Sequence, residues 1–328
     1  MAINSSFDRL IYNFNSKINL RAEIHNQYYQ TKDKLINNNK VSSENYRFFP
    51  MTGIFVETPI RHKEKNLLLT PSLSLIVNSG TKNKNEISNE DSTNQTVSIS
   101  SESQLNRFSG TDKLDNSKRI LYGFNVTTDH FSSSFSQNYE FDVNSDYNVE
   151  IGNTKNLSDA LLSSSLNYSK TNVIHDLRYS PHLEEIRSQS LSIDNNNFLG
   201  SFAIKYFNEK KESNNILTAG KETMEFDYVS NKINDFNTIS FKSKYDLIDD
   251  KADEYILSYE YFDECFGINI DFKRSFYEDD NLKPQDTLTL MFSFKNLGAY
   301  KSTNLAVSEI DKQDIQWENT GVDNEKFQ

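Results

Sequence analysis

Residues 253–298 constrain the fold more firmly than any other stretch of the chain. They read DEYILSYEYFDECFGINIDFKRSFYEDDNLKPQDTLTLMFSFKNLG. Phe266, Ile268, Ile270, Phe272 and Phe276 share one parity, and Gly267, Asn269, Asp271, Lys273 and Ser275 take the other. Further on, Leu288, Leu290, Phe292 and Phe294 alternate with Thr287, Thr289, Ser293 and Lys295. Alternation of period two gives a strand one apolar and one polar face. The stretch therefore predicts three strands, at 253–262, 264–277 and 286–297. Cys265, the single cysteine, falls in the tight turn between the first two.

The same period recurs upstream. It predicts strands at 7–14, 17–28, 46–58, 65–78, 119–128, 131–142, 159–168, 172–180, 186–194, 198–208, 223–230 and 237–248, about fifteen in all. Pro50 lies inside one of them and predicts a bulge or bend. The polar stretches 30–44, 79–118, 143–157 and 209–222 read as loops by composition. These long connectors alternate with short ones near 15–16, 129–130, 169–171, 195–197 and 263. Short turns on one side and long loops on the other mark outer-membrane barrels, with the long loops outside the cell. The expected fold class is all-β, a large antiparallel transmembrane β-barrel spanning residues 1–299. A tail, 300–328, lies beyond the last strand and is expected to fold back towards the lumen or the seam. An odd strand count suits an incomplete, C-terminal portion of a larger barrel. The first residues, MAINSSFDRLIYNFNSK, hold no apolar core of a signal peptide, which fits the same expectation.

Composition is compatible with this. No run approaches the roughly 18 apolar residues of a spanning helix. The mean hydropathy of −0.69 is low, but a barrel offers only alternate residues to lipid. Seventeen tyrosines and twenty-three phenylalanines suit strands and membrane interfaces. A net charge of −12 argues against nucleic acid as a partner.

Two stretches carry a resemblance. The run YEYFDECFGINIDFKRSFYEDD, followed by DTLTLMFSFKNLG, is similar to the C-terminal end of the LPS-assembly outer-membrane protein family, LptD. Upstream, SESQLNRFSGTDKLDNSKRILYGFN resembles the family pattern, carried here by Asn106, Arg107, Phe108, Gly110, Asp112, Arg119, Tyr122 and Gly123. The resemblance implies a translocon that inserts lipopolysaccharide into the outer leaflet of a Gram-negative outer membrane, without bond chemistry. It implies a polar lumen for the sugar head group and lateral exit of the acyl chains into outer-membrane lipid. By resemblance, one side of that lateral gate is the strand holding Thr287, Leu288, Thr289, Leu290, Met291, Phe292, Ser293, Phe294 and Lys295, continuing to Leu297. Leu288, Leu290, Phe292 and Phe294 are expected to face lipid, and Thr287, Thr289, Ser293 and Lys295 the lumen. The implied partners are a plug lipoprotein (LptE-like) in the lumen and a periplasmic bridge protein docking on an N-terminal domain absent from this sequence. Family cysteines near this turn pair with that domain, which makes Cys265 a disulfide candidate on the periplasmic side. Where the family pattern can have two adjacent cysteines, Phe266 follows Cys265 here. The alternative is a plain buried thiol.

No catalytic constellation is visible, and no enzyme or cofactor is expected. His25, His62, His130, His175 and His182 lack metal-ligand spacing. There is no nucleophile elbow or P-loop, and no Gly-x-Gly. The acidic pairs Asp249-Asp250 and Asp279-Asp280 read as solvated turns. Two other functions remain open on the residues alone: an outer-membrane porin or adhesin-like barrel, and a secreted, soluble β-rich glycan-binding protein.

Overall fold

A computed structural model describes residues 2–36, 39–80, 83–84, 86–87, 89–93, 97–144, 146–147, 155–213, 216–276, 285–295, 298–302, 305–306 and 317–321. The strands are β1 (Ala2–Asn13), β2 (Ser16–Ile36), β3 (Asn39–Glu57), β4 (Ile60–His62), β5 (Leu67–Asn78), β6 (Lys118–Thr127), β7 (Phe131–Glu140), β8 (Ala160–Tyr168), β9 (Thr171–Ser180) and β10 (Glu185–Asn197). They continue with β11 (Gly200–Ser213), β12 (Ile216–Ser230), β13 (Asn237–Asp246), β14 (Lys251–Phe262), β15 (Phe266–Ser275) and β16 (Gln285–Phe294). The short β17 (Gly298–Ser302), β18 (Leu305–Ala306) and β19 (Trp317–Gly321) follow. One helical turn, α1 (Ile99–Glu102), is capped by Ser98. All fifteen sequence-predicted strands are present; the sequence reading missed β4, β17, β18 and β19.

Contacts divide the chain into two units. The first comprises Met1–Ser165, His175–Ser188 and Lys211–Thr218, and the second Leu166–Ile174, Gln189–Lys210 and Ala219–Gln328.

In the first unit, β1 pairs with β2 from Ala2↔Gln27 to Asn13↔Ser16. The turn between them, Phe14 and Asn15, has positive φ at both residues (48° and 58°). That suits a two-residue hairpin, whose twist matches the strands it joins. β2 pairs with β3, β3 with β5, β5 with β6, and β6 with β7, all antiparallel. Burial here runs opposite to that of a water-soluble sheet. Tyr46, Phe48, Ile54, Leu73 and Leu75 are exposed, whereas Gln27, Arg47, Asn78, Arg119, Asn138 and Glu140 are buried. A chain puts apolar side chains outward and charges inward only where the outer medium is apolar.

Three expectations are corrected here. Residues 30–44 are not a loop: β2 and β3 run on to Ile36↔Asn39, with one register shift between Thr31 and Lys34. Residues 209–222 likewise belong largely to β11 and β12. Composition reports the solvent a side chain prefers, and a polar hairpin pairs its backbone as well as an apolar one. Pro50 makes no bulge, because its register with Ile24 is continuous and its carbonyl accepts from Ser79 N at 3.1 Å.

In the second unit, β12 through β16 form consecutive antiparallel pairs. One face carries an aromatic row. Phe226 and Phe241 have ring centroids 6.3 Å apart, Phe241 and Tyr255 6.2 Å, and Tyr255 and Phe276 5.4 Å. The other face pairs charges: Lys205–Asp227 at 3.3 Å, Lys244–Asp253 at 3.8 Å and Lys273–Glu254 at 2.7 Å. The charged pairs are part-exposed and contribute about 0–1 kcal/mol each, so the sheet's two-sidedness, not its ion pairs, fixes its register.

Candidate functional site

The segment between β5 and β6 reads as loop by composition, and apart from α1 its described residues are irregular, but the loop is packed instead of solvated. Leu105, Phe108 and Leu114 are almost fully buried, and Leu105 and Leu114 join Phe49, Met51, Phe55 and Ile76 in a core. A few apolar residues suffice because the segment's polar groups are satisfied internally.

Asn106 folds the segment on itself. Its Nδ2 donates to Gly110 O at 3.0 Å, and its Oδ1 accepts from Asp115 N at 3.1 Å. Gly110 is required by a close approach: a Cβ there would stand 2.3 Å from Asp91 Oδ1. The Asp91 carboxylate accepts from Thr111 N and Asp112 N, at 3.0 and 2.9 Å. Slight burial pushes its carboxyl up, but the Asp112 amide, the Ser92 hydroxyl and the Thr111 donors hold it well below the usual range. Asp112 in turn accepts from Glu90 N at 2.8 Å and from the Tyr29 hydroxyl at 3.3 Å.

Below this turn lies a fully buried ionic cluster. Arg107 Nε donates to Asp115 at 2.6 Å, its Nη1 to Glu102 at 3.2 Å, and its Nη2 to both Asp115 and Glu140. Its guanidinium stacks 4.1 Å from the Tyr147 ring centroid. Arg119 donates to Asp115 at 3.1 Å and Ser117 at 2.6 Å, and also to the carbonyl of Gln104. Asn144 reaches Asp115 at 2.7 Å, and the Tyr147 hydroxyl reaches Glu102 at 3.0 Å. Burial opposes the charge of Arg107, but Asp115, Glu102 and Glu140 outweigh it and hold the guanidinium well above its ordinary pKa. Burial likewise pushes Asp115 up, and Arg107 and Arg119 reverse this and hold it below the usual carboxylate range. Tyr147 is pushed far up by burial and then by Glu102, so its hydroxyl stays a donor.

A second clamp comes from β3. Arg47 is 1% exposed and donates to the carbonyls of Thr111 and Asp112, at 2.6 and 2.7 Å, and to Gln27 at 2.8 Å. The planar guanidinium fork suits this many fixed acceptors. Asn78 adds bonds from β5 to the carbonyls of Leu105 and Asp115.

Six of the motif residues thus meet in one packed structure: Asn106, Arg107, Phe108, Gly110, Asp112 and Arg119. The other two serve the strand that follows. Tyr122 is exposed and bonds Gln137 at 2.6 Å. Gly123 lets β6 approach β7, since a Cβ would stand 2.2 Å from Phe135 O. The sequence reading missed Glu102, Asp115, Glu140, Asn144, Tyr147 and Arg47. Two arginines in a segment with a buried Phe and Leu were the available signal, because such charges need carboxylate partners.

Cys265 is exposed in the β14–β15 turn, which overturns the buried-thiol alternative. The Asp263 carboxylate shapes this turn, accepting from Cys265 N and Phe266 N, both at 2.8 Å. Those amides and then the Tyr261 hydroxyl hold Asp263 below the usual carboxylate range.

Thr287, Leu288, Thr289, Leu290, Met291, Phe292, Ser293 and Phe294 lie in β16, and Lys295 just past its end. Leu297 is outside the described residues. β16 pairs with β15 through ten registered positions, from Phe266↔Phe294 to Ser275↔Gln285. β16 is not the last strand. β17 pairs with its Met291–Phe294 positions, β18 with Thr287 and Leu288, and β19 with β17. Part of the expected tail therefore adds strands to the sheet: backbone donors on a strand edge are satisfied by any extended segment within reach.

Long antiparallel strands, which in the first unit expose apolar side chains and bury ionic ones, are those of an outer-membrane β-barrel protein. The LPS transport system D family model, LptD, matches residues 2–249. The chain belongs to that family and is located in the outer membrane of Gram-negative bacteria. No curated protein matches the chain in sequence. Among solved structures, a mutant of the Rh. blastica porin is 9% identical with a TM-score of 0.38, covering 87% of this chain and 93% of the porin. A triple mutant of the Rhodopseudomonas blastica porin is 9% identical with a TM-score of 0.37, covering 92% of each chain.

Proposed function

We propose that this protein inserts lipopolysaccharide into the outer leaflet through its lumen and a lateral gate bordered by β16, with an LptE-like plug lipoprotein as partner. Family membership supports the lipopolysaccharide substrate. The observation that supports the gate is the two-sided character of β16, in which Leu288, Leu290, Phe292 and Phe294 alternate with Thr287, Thr289 and Ser293. A strand between a polar path and lipid needs one face for each. Thr287, Thr289, Ser293 and Lys295 would line the polar path for the sugars. Leu288, Leu290, Phe292 and Phe294 would border the lipid that receives the acyl chains.

The test is a reversible lock. Phe292 and Tyr300 are registered partners across β16 and β17. Phe292→Cys with Tyr300→Cys, in a Cys265→Ser background, should form a disulfide on oxidation. Lipopolysaccharide should then stop reaching the cell surface and resume on reduction. Undiminished insertion with the lock closed refutes the gate.

A further inference from the structure

Turns between strands are ordinarily built from Asn, Asp and Gly, which tolerate left-handed backbone and bond to it. Two turns of the second unit leave that work to such residues and project apolar side chains beside them. Between β10 and β11, Asn197 Oδ1 accepts from Leu199 N at 2.8 Å. Asn231 Nδ2 donates to the carbonyls of Asn197 and Phe198, at 3.1 and 2.7 Å. Phe198 and Leu199 themselves are 83% and 61% exposed. Between β12 and β13, Asn234 and Asp235 take the left-handed positions, with φ of 52° and 63°. Ile233 and Phe236 flank them, and both are exposed. Asn231 thus ties the two turns together, and Phe262 N donates to Phe236 O at 2.8 Å beside the β14–β15 turn.

The apolar turn residues continue the aromatic face of the sheet. In an outer-membrane barrel that face meets lipid. Tyr228 is the registered partner of Phe241, a ring of the aromatic row, and its hydroxyl donates to Leu199 O at 2.9 Å. Tyr261 has the parity of Tyr255, another ring of the row, and its centroid is 6.1 Å from that of Phe236. The Tyr261 hydroxyl donates to Asp263 at 2.9 Å. Both tyrosines keep their rings on the lipid face and their hydroxyls at the turns, as amphipathic rings do where an apolar medium meets a polar one. Phe198, Leu199, Ile233 and Phe236 stand at that boundary.

The first unit has the same feature at the β1–β2 turn, where Phe14 is 91% exposed with φ 48°. Positive φ is an outlier for a bulky residue, and Asn or Gly would relieve it. A strained, exposed phenylalanine costs its hairpin stability, so its use lies in what it meets outside the chain.

We infer that these turns are membrane anchors, whose apolar side chains enter the boundary between headgroups and acyl chains of the leaflet at their end of the strands. Lipid is the occupant because the Tyr228 bond and the Phe236–Tyr261 contact join the patch to the lipid-facing row. Strands can slide along their own axis in a bilayer, and apolar groups at the turns fix the depth at which they rest. The inference needs the outer-membrane location and not the transport reading.

The test uses the full chain folded into phosphatidylcholine vesicles, with Trp317→Phe removing the single native tryptophan. Phe198→Trp, Phe236→Trp and Phe14→Trp then each supply one reporter. Lipids brominated near the headgroup end of their acyl chains should quench each reporter about twofold or more, since an aromatic ring at the interface lies within reach of those bromines. Acrylamide should quench each severalfold less than it quenches free tryptophan. Emission as red as that of free tryptophan at Phe198→Trp and Phe236→Trp, unmoved by brominated lipid, overturns the anchor and leaves these turns to water or a soluble partner. The same result at Phe14→Trp alone removes the first unit from it. Ile233→Trp repeats the reading if a second-unit variant fails to fold, and heat-dependent gel migration shows which variants have folded.

Discussion

Removing Arg107 should release the whole β5–β6 segment while leaving the strands paired. Its guanidinium is completely buried and joins three carboxylates, Asp115, Glu102 and Glu140. In Arg107→Ala these carboxylates lose the cation they share, while the Arg119–Asp115 pair remains. Stripping one partner from a buried ionic group costs about 3–5 kcal/mol, because the remaining charges stay desolvated. At about 1.4 kcal/mol per factor of ten, opening of the segment should rise roughly 10²–10⁴-fold. Arg107→Lys keeps the charge but cannot fork to three acceptors, so its effect should be intermediate. Amide hydrogen exchange measures this peptide by peptide. The amide of Asp115, held by Asn106, should lose protection, whereas those of β2 and β3 should keep theirs. Unchanged exchange across 97–118 in Arg107→Ala would refute the idea that this cluster latches the segment. Equal loss in every strand would show that the cluster supports the sheet instead.

Four further outcomes are expected. Asp115 has a folded pKa below its unfolded value, so its contribution is present above the ordinary carboxylate pKa of about 3.9 and is lost as pH falls through the lower folded value. Arg107, held above its ordinary value, contributes at every pH below that ordinary value. Proteolysis of 97–118 should therefore be flat from neutral pH to about pH 4 and rise only in stronger acid; a rise near pH 6 would contradict this. Gly123→Ala should destabilise by about 1–3 kcal/mol in urea unfolding, since the new methyl overlaps Phe135 O, and a neutral result would mean that β6 and β7 separate freely. Phe292→Lys should cost about 2–4 kcal/mol if that side chain meets lipid near mid-membrane, and folding equilibria into bilayers measure it. The reduced chain in detergent should react with a maleimide at Cys265 without denaturant, and a requirement for unfolding would contradict its exposure.

The strands were legible in the residues because period two is a local property: Phe266 to Ser275 and Leu288 to Phe294 declare their faces without reference to the rest of the chain. The family pattern was also legible, but its physical meaning was not. Nothing near Arg107 in sequence announces Glu140, or that Arg47 reaches the carbonyls of Thr111 and Asp112 from β3. Those contacts join residues 33 and 64–65 positions apart. Composition read 79–118 as loop but not as a packed one, because it weighs hydropathy, whereas buried polar groups that satisfy one another can pack as tightly as apolar ones. It misjudged 30–44 for a related reason, since a polar side chain does not stop its backbone from pairing. The sequence by itself determined where the strands with an apolar face lie and which face of each is apolar. Only the tertiary structure decided that the polar segment becomes a latched core, that Cys265 is exposed, and that β16 has neighbours on both flanks. Those outcomes depend on which distant donors meet which acceptors, and a periodic pattern carries no information about that.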